Sequence, residues 1–260
     1  MEKSNNEVTP EQDTPKAAPK TVKKSAKNKG AKIKAKLLNT YYGHPLKDMK
    51  LICITGTAGK VEVAHYVYEI LKAAGHPVEL LASEHNIKLG TLHKFLSQSW
   101  KAGANYVVVT APAESLEKDT FYDLPVHVAA LTNYIPSSLD DEPAEDYVSG
   151  ESILFKMNPD YVVLNREDAN YDQFEQFAGT KGTLTYGQDR FSTVQILTHK
   201  LYKKGAEANL VIGTSRFTVA TFLTGEPVIS YMAAATAIAN ALHIAPEKIT
   251  EGIANYEPEA

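Results

Sequence analysis

Seven consecutive residues, Ile54-Thr55-Gly56-Thr57-Ala58-Gly59-Lys60, lead from an apolar run straight into an amphipathic stretch. Two glycines in such a place let the backbone fold tightly, so that its N–H groups and the first amides of a following helix face phosphate oxygens. A lysine directly after them supplies a mobile charge for the β- and γ-phosphates of a nucleotide. Thr55, Gly56, Thr57, Ala58, Gly59 and Lys60 are therefore the candidate residues for binding ATP. The generic phosphate-loop pattern is incomplete. Ile54 stands at its leading glycine, and Val61 stands where a Ser or Thr hydroxyl would meet Mg²⁺. A plain strand–helix turn carrying a solvated lysine is the alternative reading of the same residues.

Other reactive residue types form weaker patterns. His44, His65, His76, His85, His93, His127, His199 and His243 show no metal-ligand spacing and read as solvated or packed. Cys53 is the single cysteine, which excludes an internal disulfide and a cysteine-based zinc site. Its place in Leu51-Ile52-Cys53-Ile54 is that of a small buried side chain. Asp140-Asp141-Glu142 offers carboxylates to a cation, or forms a solvated acidic loop. Trp100, with Phe95 and Leu96, reads as packing a helix onto the core.

The elements that would position the loop alternate between apolar runs and helical stretches. Strands are expected at Leu51–Thr55, Val78–Ala82, Tyr106–Thr110, Val126–Thr132 and Tyr161–Asn165. Several are apolar on both faces, as strands covered by helices on each side must be. Helices are expected at Val61–Ala74, Leu92–Ala102 and Tyr147–Lys156, from apolar residues at helical spacing. After Gly182 the short, Thr-rich runs Thr183–Tyr186, Val194–Thr198, Leu210–Thr214 and Phe217–Leu223 predict antiparallel strands or hairpins. Helices Ile229–Leu242 and Pro246–Ala254 then close the chain. The expected fold is α/β, a three-layer sandwich whose sheet is mostly parallel with a small antiparallel portion.

A 43% hydrophobic content over 260 residues supports a buried core, and 22% charged residues is ordinary for a soluble protein. No apolar run approaches the ~18 residues that span a bilayer, and Met1–Pro15 lacks the apolar centre of a signal peptide. The expectation is a cytoplasmic protein without a transmembrane segment. The formal net charge of -4 hides an asymmetry, since residues 1–38 hold ten lysines against Glu2, Glu7, Glu11 and Asp13. Between Lys16 and Lys36 there are nine lysines, no acid and no aromatic. Such composition predicts a disordered tail over residues 1–38 ahead of one continuous domain over 39–260. The tail either tethers the protein to a polyanion, nucleic acid or an anionic membrane surface, or only solubilises it.

With these words in place, the sequence resembles the central ATPase domain of the Mur ligases and folylpolyglutamate synthases. Thr55–Lys60 is similar to their TGTNGK loop. Leu131-Thr132-Asn133, followed by Leu139-Asp140, resembles the "TN…DHLD" segment. Tyr147 through Leu154-Phe155 resembles the "Y…AK…LF" helix, and Val163–Asp168 the "INxDD" strand end. Gly225 through Leu242, continuing into Pro246-Glu247-Lys248-Ile249, resembles the helices that close the domain. What the resemblance implies is an ATP-dependent amide ligase of peptidoglycan synthesis. Such an enzyme phosphorylates a carboxylate and lets an amine displace the acyl phosphate, with Mg²⁺ neutralising charge.

Set against that resemblance, the reactive positions depart while the framework persists. The magnesium-binding hydroxyl falls on Val61 and the next Thr on Glu62, an anion at a helix N-terminus. The metal-binding glutamate falls on Thr110, a nearby histidine on Glu114, and the histidine of "DHLD" on Ser138. The carbamylated lysine falls on Glu151, and the adenine-side asparagine on Tyr231. Glu151, Glu114 and Asp140 are the candidate carboxylates of a remnant cation site, or else paired surface acids. The chain stops at Glu257-Pro258-Glu259-Ala260, before the family's "PGR" and last domain, and a lysine tail stands where its first domain would be. Two functions remain open. One is a degenerate scaffold or partner subunit, a pseudoenzyme with vestigial ATP binding. The other is an amide ligase whose partner supplies the missing domains.

Overall fold

A computed structural model describes residues 24–134 and 149–258 of the chain. Its first element is the helix α1, Lys24–Tyr41. Strands β1 (Lys50–Thr55), β2 (Val78–Leu81), β3 (Tyr106–Thr110), β4 (Val126–Leu131) and β5 (Tyr161–Asn165) follow. They alternate with helices α2 (Lys60–Ala73), α3 (Leu89–Lys101), α4 (Ala113–Glu117) and α5 (Ser149–Phe155). The short helix α6 (Tyr171–Glu175) precedes β6 (Gly182–Gly187), β7 (Val194–Tyr202), β8 (Gly205–Ile212) and β9 (Ser215–Thr221). Helices α7 (Pro227–Ala241) and α8 (Pro246–Asn255) complete it.

The strands form one sheet in the order β2-β3-β1-β4-β5-β6-β7-β8-β9. Strand alternation explains the two apolar layers, because successive side chains point to opposite faces. In β1, Ile52 and Ile54 enter a core with α2, α7 and α8, whereas Leu51 and Cys53 enter a second core with α3 and α5. Neighbouring β3 divides the same way, Val108 to one side, Val107 and Val109 to the other. The fold is thus α/β, with helices over both faces of a largely parallel sheet.

The antiparallel portion is smaller than its sequence implies. β6 pairs parallel with β5 over five residues, and β7 pairs parallel with β6 at Tyr186↔Val194 and Gly187↔Gln195. Among the described residues, the antiparallel pairings are β7–β8 and β8–β9. Thr-rich composition signals a strand but carries no information on its direction.

The expected disordered tail to Leu38 also differs from the structure, in which residues from Lys24 onward are helical. Ala35 and Asn39 are buried. Lys32 and Lys36 place their ammonium groups 4.9 and 5.9 Å from the centroid of the Tyr122 ring. Alanine, lysine and leucine are strong helix formers, and tertiary contact decides whether such a stretch stays helical. Residues 1–23 lie outside the described residues.

Candidate functional site

The loop between β1 and α2 lies at the carboxyl end of the sheet, where β1 is flanked by β3 on one side and β4 on the other. The strand order reverses there, which is where open α/β sheets bind ligands. Loop shape depends on two glycines. Gly56 has φ 133° and Gly59 has φ 79°, both in the region that side chains disfavour. Space also demands them. A Cβ on Gly56 would lie 2.7 Å from the Asn133 carbonyl oxygen, and one on Gly59 would overlap the Tyr231 ring.

Residues after β4 hold the loop. Thr132 Oγ1 donates to the Ala58 carbonyl at 2.7 Å, and the Thr57 N–H donates to the Asn133 carbonyl at 3.0 Å. Ala58 N–H donates to Asn133 Oδ1, also at 3.0 Å. Two amides that a phosphate cradle would offer are therefore engaged by one asparagine. Tyr186 anchors this segment in turn, its buried hydroxyl donating to the carbonyls of Leu131 and Thr132. Asp168 accepts from the Tyr134 N–H at 2.6 Å, so the "INxDD"-like strand end pins the same turn.

Lys60 is 95% buried, yet it is not free. Its Nζ lies 3.1 Å from Glu84 Oε2, with side-chain exposures of 5% and 49%, and 3.3 Å from the Thr57 carbonyl. Glu84 belongs to the loop after β2, and Thr110 holds that loop. The Ser83 N–H donates to Thr110 Oγ1, and Thr110 Oγ1 donates to the Ser83 carbonyl, each at 2.8 Å. Further along, Ser115 Oγ accepts from the Ile87 N–H at 2.8 Å. The carboxylate that meets Lys60 is thus Glu84, not Glu62. Glu62 instead raises the pKa of Tyr66, Tyr231 and Tyr256, behind their own burial, and its Oε2 has no hydrogen-bond partner among the described residues.

Glu151 sits in the first turn of α5, 5% exposed. Burial raises its pKa first and Glu117 raises it further, while its own backbone N–H and Lys60 pull it back. Glu114 is on the surface of α4, 58% exposed and ion-paired with Lys118. Asp140, Ser138 and the 140–142 acidic run lie outside the described residues. Among the described residues no group of three or more His, Cys, Asp or Glu could hold a metal ion. His93 is fully buried within α3, and His127 pairs with Asp160 at 2.7 Å beside the amino end of β5. Of the group expected to pack α3 onto the core, Leu96 is fully buried and Phe95 packs against the core, while Trp100 is 37% exposed and donates from Nε1 to Asp48 at 3.2 Å.

Chemically the site is a loop shaped for an anion. A helix N-terminus capped by a glycine with no side-chain hydrogen bond faces it, and one buried ammonium serves it. That much fits a nucleotide phosphate. The donors for a metal fit poorly, since Val61 has no oxygen and Thr110 spends its hydroxyl on Ser83. Glu84 and Asn133 are the residues that a reading of the loop alone misses or underrates. Neither has a local signal, because each reaches the loop from another strand's end.

A family model described as the Mur ligase middle domain matches residues 54–239, from the end of β1 to the end of α7. The chain belongs to the Mur ligase family. Among curated relatives, the UDP-N-acetylmuramoyl-L-alanyl-D-glutamate–2,6-diaminopimelate ligase of Bacillus licheniformis is 30% identical over 241 residues, covering 84% of this chain and 49% of the relative. The corresponding ligase of Listeria monocytogenes is 27% identical over 237 residues, covering 82% and 48%. The chain spans about half the length of the curated relatives it matches. A solved structure of a ligase of the same name superposes with a TM-score of 0.79 at 19% identity, over 90% of this chain and 51% of that one. Mycobacterium tuberculosis folylpolyglutamate synthase complexed with ADP superposes with a TM-score of 0.74 at 14% identity, over 88% and 62%. These two likenesses establish the Mur ligase middle-domain fold.

Proposed function

We propose that this Mur ligase-family domain is a degenerate, non-catalytic scaffold or partner subunit connected with cell-wall precursor metabolism in the cytoplasm. The observation that carries the reading is the Lys60–Glu84 ion pair. It sets one of the chain's own carboxylates where the γ-phosphate of ATP would meet the loop lysine. Asn133, on the Thr57 and Ala58 amides, supports the same view. ATP then binds only by displacing Glu84, which makes the affinity low, and Val61 with the committed Thr110 gives Mg²⁺ little purchase. Calorimetric titration with ATP, with and without Mg²⁺, tests this directly. Tight Mg²⁺-dependent binding by the unaltered chain would overturn it.

A second reading is favoured by the intact loop shape and the buried carboxyl of Glu151. It is an ATP-dependent amide ligase that forms its substrate sites with a partner. Under that reading Glu84 is a latch released by the partner, and turnover appears only in the complex.

A further inference from the structure

Helix α1 carries an apolar stripe that none of the described residues covers. Ile33, Leu37 and Tyr41 are 61%, 65% and 80% exposed, and their i, i+4, i+8 spacing lines them along one face. The opposite face, with buried Ala35 and Asn39, packs on the body. A helix on the surface of a soluble domain ordinarily turns charged and polar residues outward and its apolar residues inward. Here the outward face is apolar at its centre and basic at its margins. Lys29 continues the line of the stripe, and Lys34 and Lys36 flank it, all three exposed. From Lys24 to Tyr41 the helix has six lysines and no acid, and Lys16, Lys20 and Lys23 precede it in sequence.

We infer that α1 seats this domain on an anionic lipid surface. The stripe enters the boundary between headgroups and acyl chains, and the lysines meet lipid phosphates, the arrangement of interfacial amphipathic helices. Nucleic acid would use the lysines but leave Ile33, Leu37 and Tyr41 in water, so it accounts for half of the surface. Among the described residues no helix is long and apolar enough to cross a membrane, and the attachment inferred is that of a helix lying in the interface. The inference rests on α1 and not on the nucleotide loop, and either can fail without the other.

The full chain is mixed with vesicles of equal phosphatidylglycerol and phosphatidylcholine and followed by co-sedimentation. Fluorescence of Trp100, the sole tryptophan, reports whether the fold around α3 is unchanged. Binding that weakens with salt is expected, with little binding to pure phosphatidylcholine. Replacing Ile33, Leu37 and Tyr41 together by Ser should weaken vesicle binding about tenfold or more, with binding to a DNA duplex unchanged. Lys29→Gln with Lys34→Gln should weaken both. Failure of the unaltered chain to bind the anionic vesicles would overturn the inference. So would a triple-serine variant that binds vesicles normally, or one that loses DNA binding by the same factor.

Discussion

Replacing Glu84 by Gln keeps its size and removes its charge, so it isolates what the Lys60 ion pair does to nucleotide binding. At an effective dielectric of ~20, unit charges 3.1 Å apart attract by about 5 kcal/mol. Glu84 is half exposed, and hydration with salt screening cancels most of that attraction. A net pairing of about 1–2 kcal/mol remains, more than a surface pair because Lys60 is buried. An incoming phosphate must displace that pairing, so Glu84→Gln should tighten ATP roughly 5- to 30-fold. Removing a like charge beside the triphosphate adds to the gain. The assay is isothermal calorimetry, and the gain should be similar with and without Mg²⁺, because Glu84 competes with the phosphate and not with the metal. Lys60→Ala added to Glu84→Gln should abolish it. An unchanged ATP affinity in Glu84→Gln would refute the argument that this carboxylate occupies the site. A gain that survives Lys60→Ala would place the nucleotide elsewhere.

Three further outcomes follow from the same contacts. Thr110→Val removes both hydrogen bonds to Ser83, which should cost about 1–3 kcal/mol and expose the Ser83 amide to fast hydrogen exchange. Glu151→Gln tests pH dependence: burial raises the folded-state pKa above the unfolded value, so its charge costs stability increasingly as pH rises through the carboxylate range. The variant should therefore melt above the unaltered chain at neutral pH, and that gap should close in acid. Gly252→Ala should destabilise by about 3 kcal/mol or more in denaturant unfolding, because its Cβ would overlap the Ile70 backbone and lie 2.8 Å from the Glu69 carbonyl carbon.

Periodicity made the sheet and its covering helices legible. β3 and β5 coincide with their expected spans, and α2 and α7 shift by only a residue or two. Apolar residues on both faces of β1 and β3 foretold two cores, and both exist. What composition left ambiguous was decided by contact between distant segments. A lysine–alanine stretch is disordered or helical according to whether a surface receives it, and α3 receives α1. The direction of β6 depends on how the chain crosses between strands, which a Thr-rich run cannot record. Leu96 and Phe95 pack on the core as their helical spacing implies, whereas Trp100 on the same helix is 37% exposed, because spacing assigns a face but not the depth of burial along it.

The site divides along the same line. Gly56, Gly59 and Lys60 lie within one short loop, so the sequence brings them together, whereas Glu84 is delivered by a loop that Thr110 clamps. Where the family resemblance implies a metal-binding glutamate, Thr110 has a hydroxyl that both accepts from and donates to Ser83. A carboxylate has no proton to donate when ionised, so it could accept from the Ser83 N–H but not return a bond to its carbonyl. On the reading proposed above, a threonine at this position does two things at once. It withdraws an oxygen suited to a cation, and it fixes the turn that brings Glu84 onto the loop lysine. On the proposed reading, the metal position and the phosphate position are linked through one side chain, Thr110. Glu84 also supplies the counter-charge that the buried Lys60 ammonium requires.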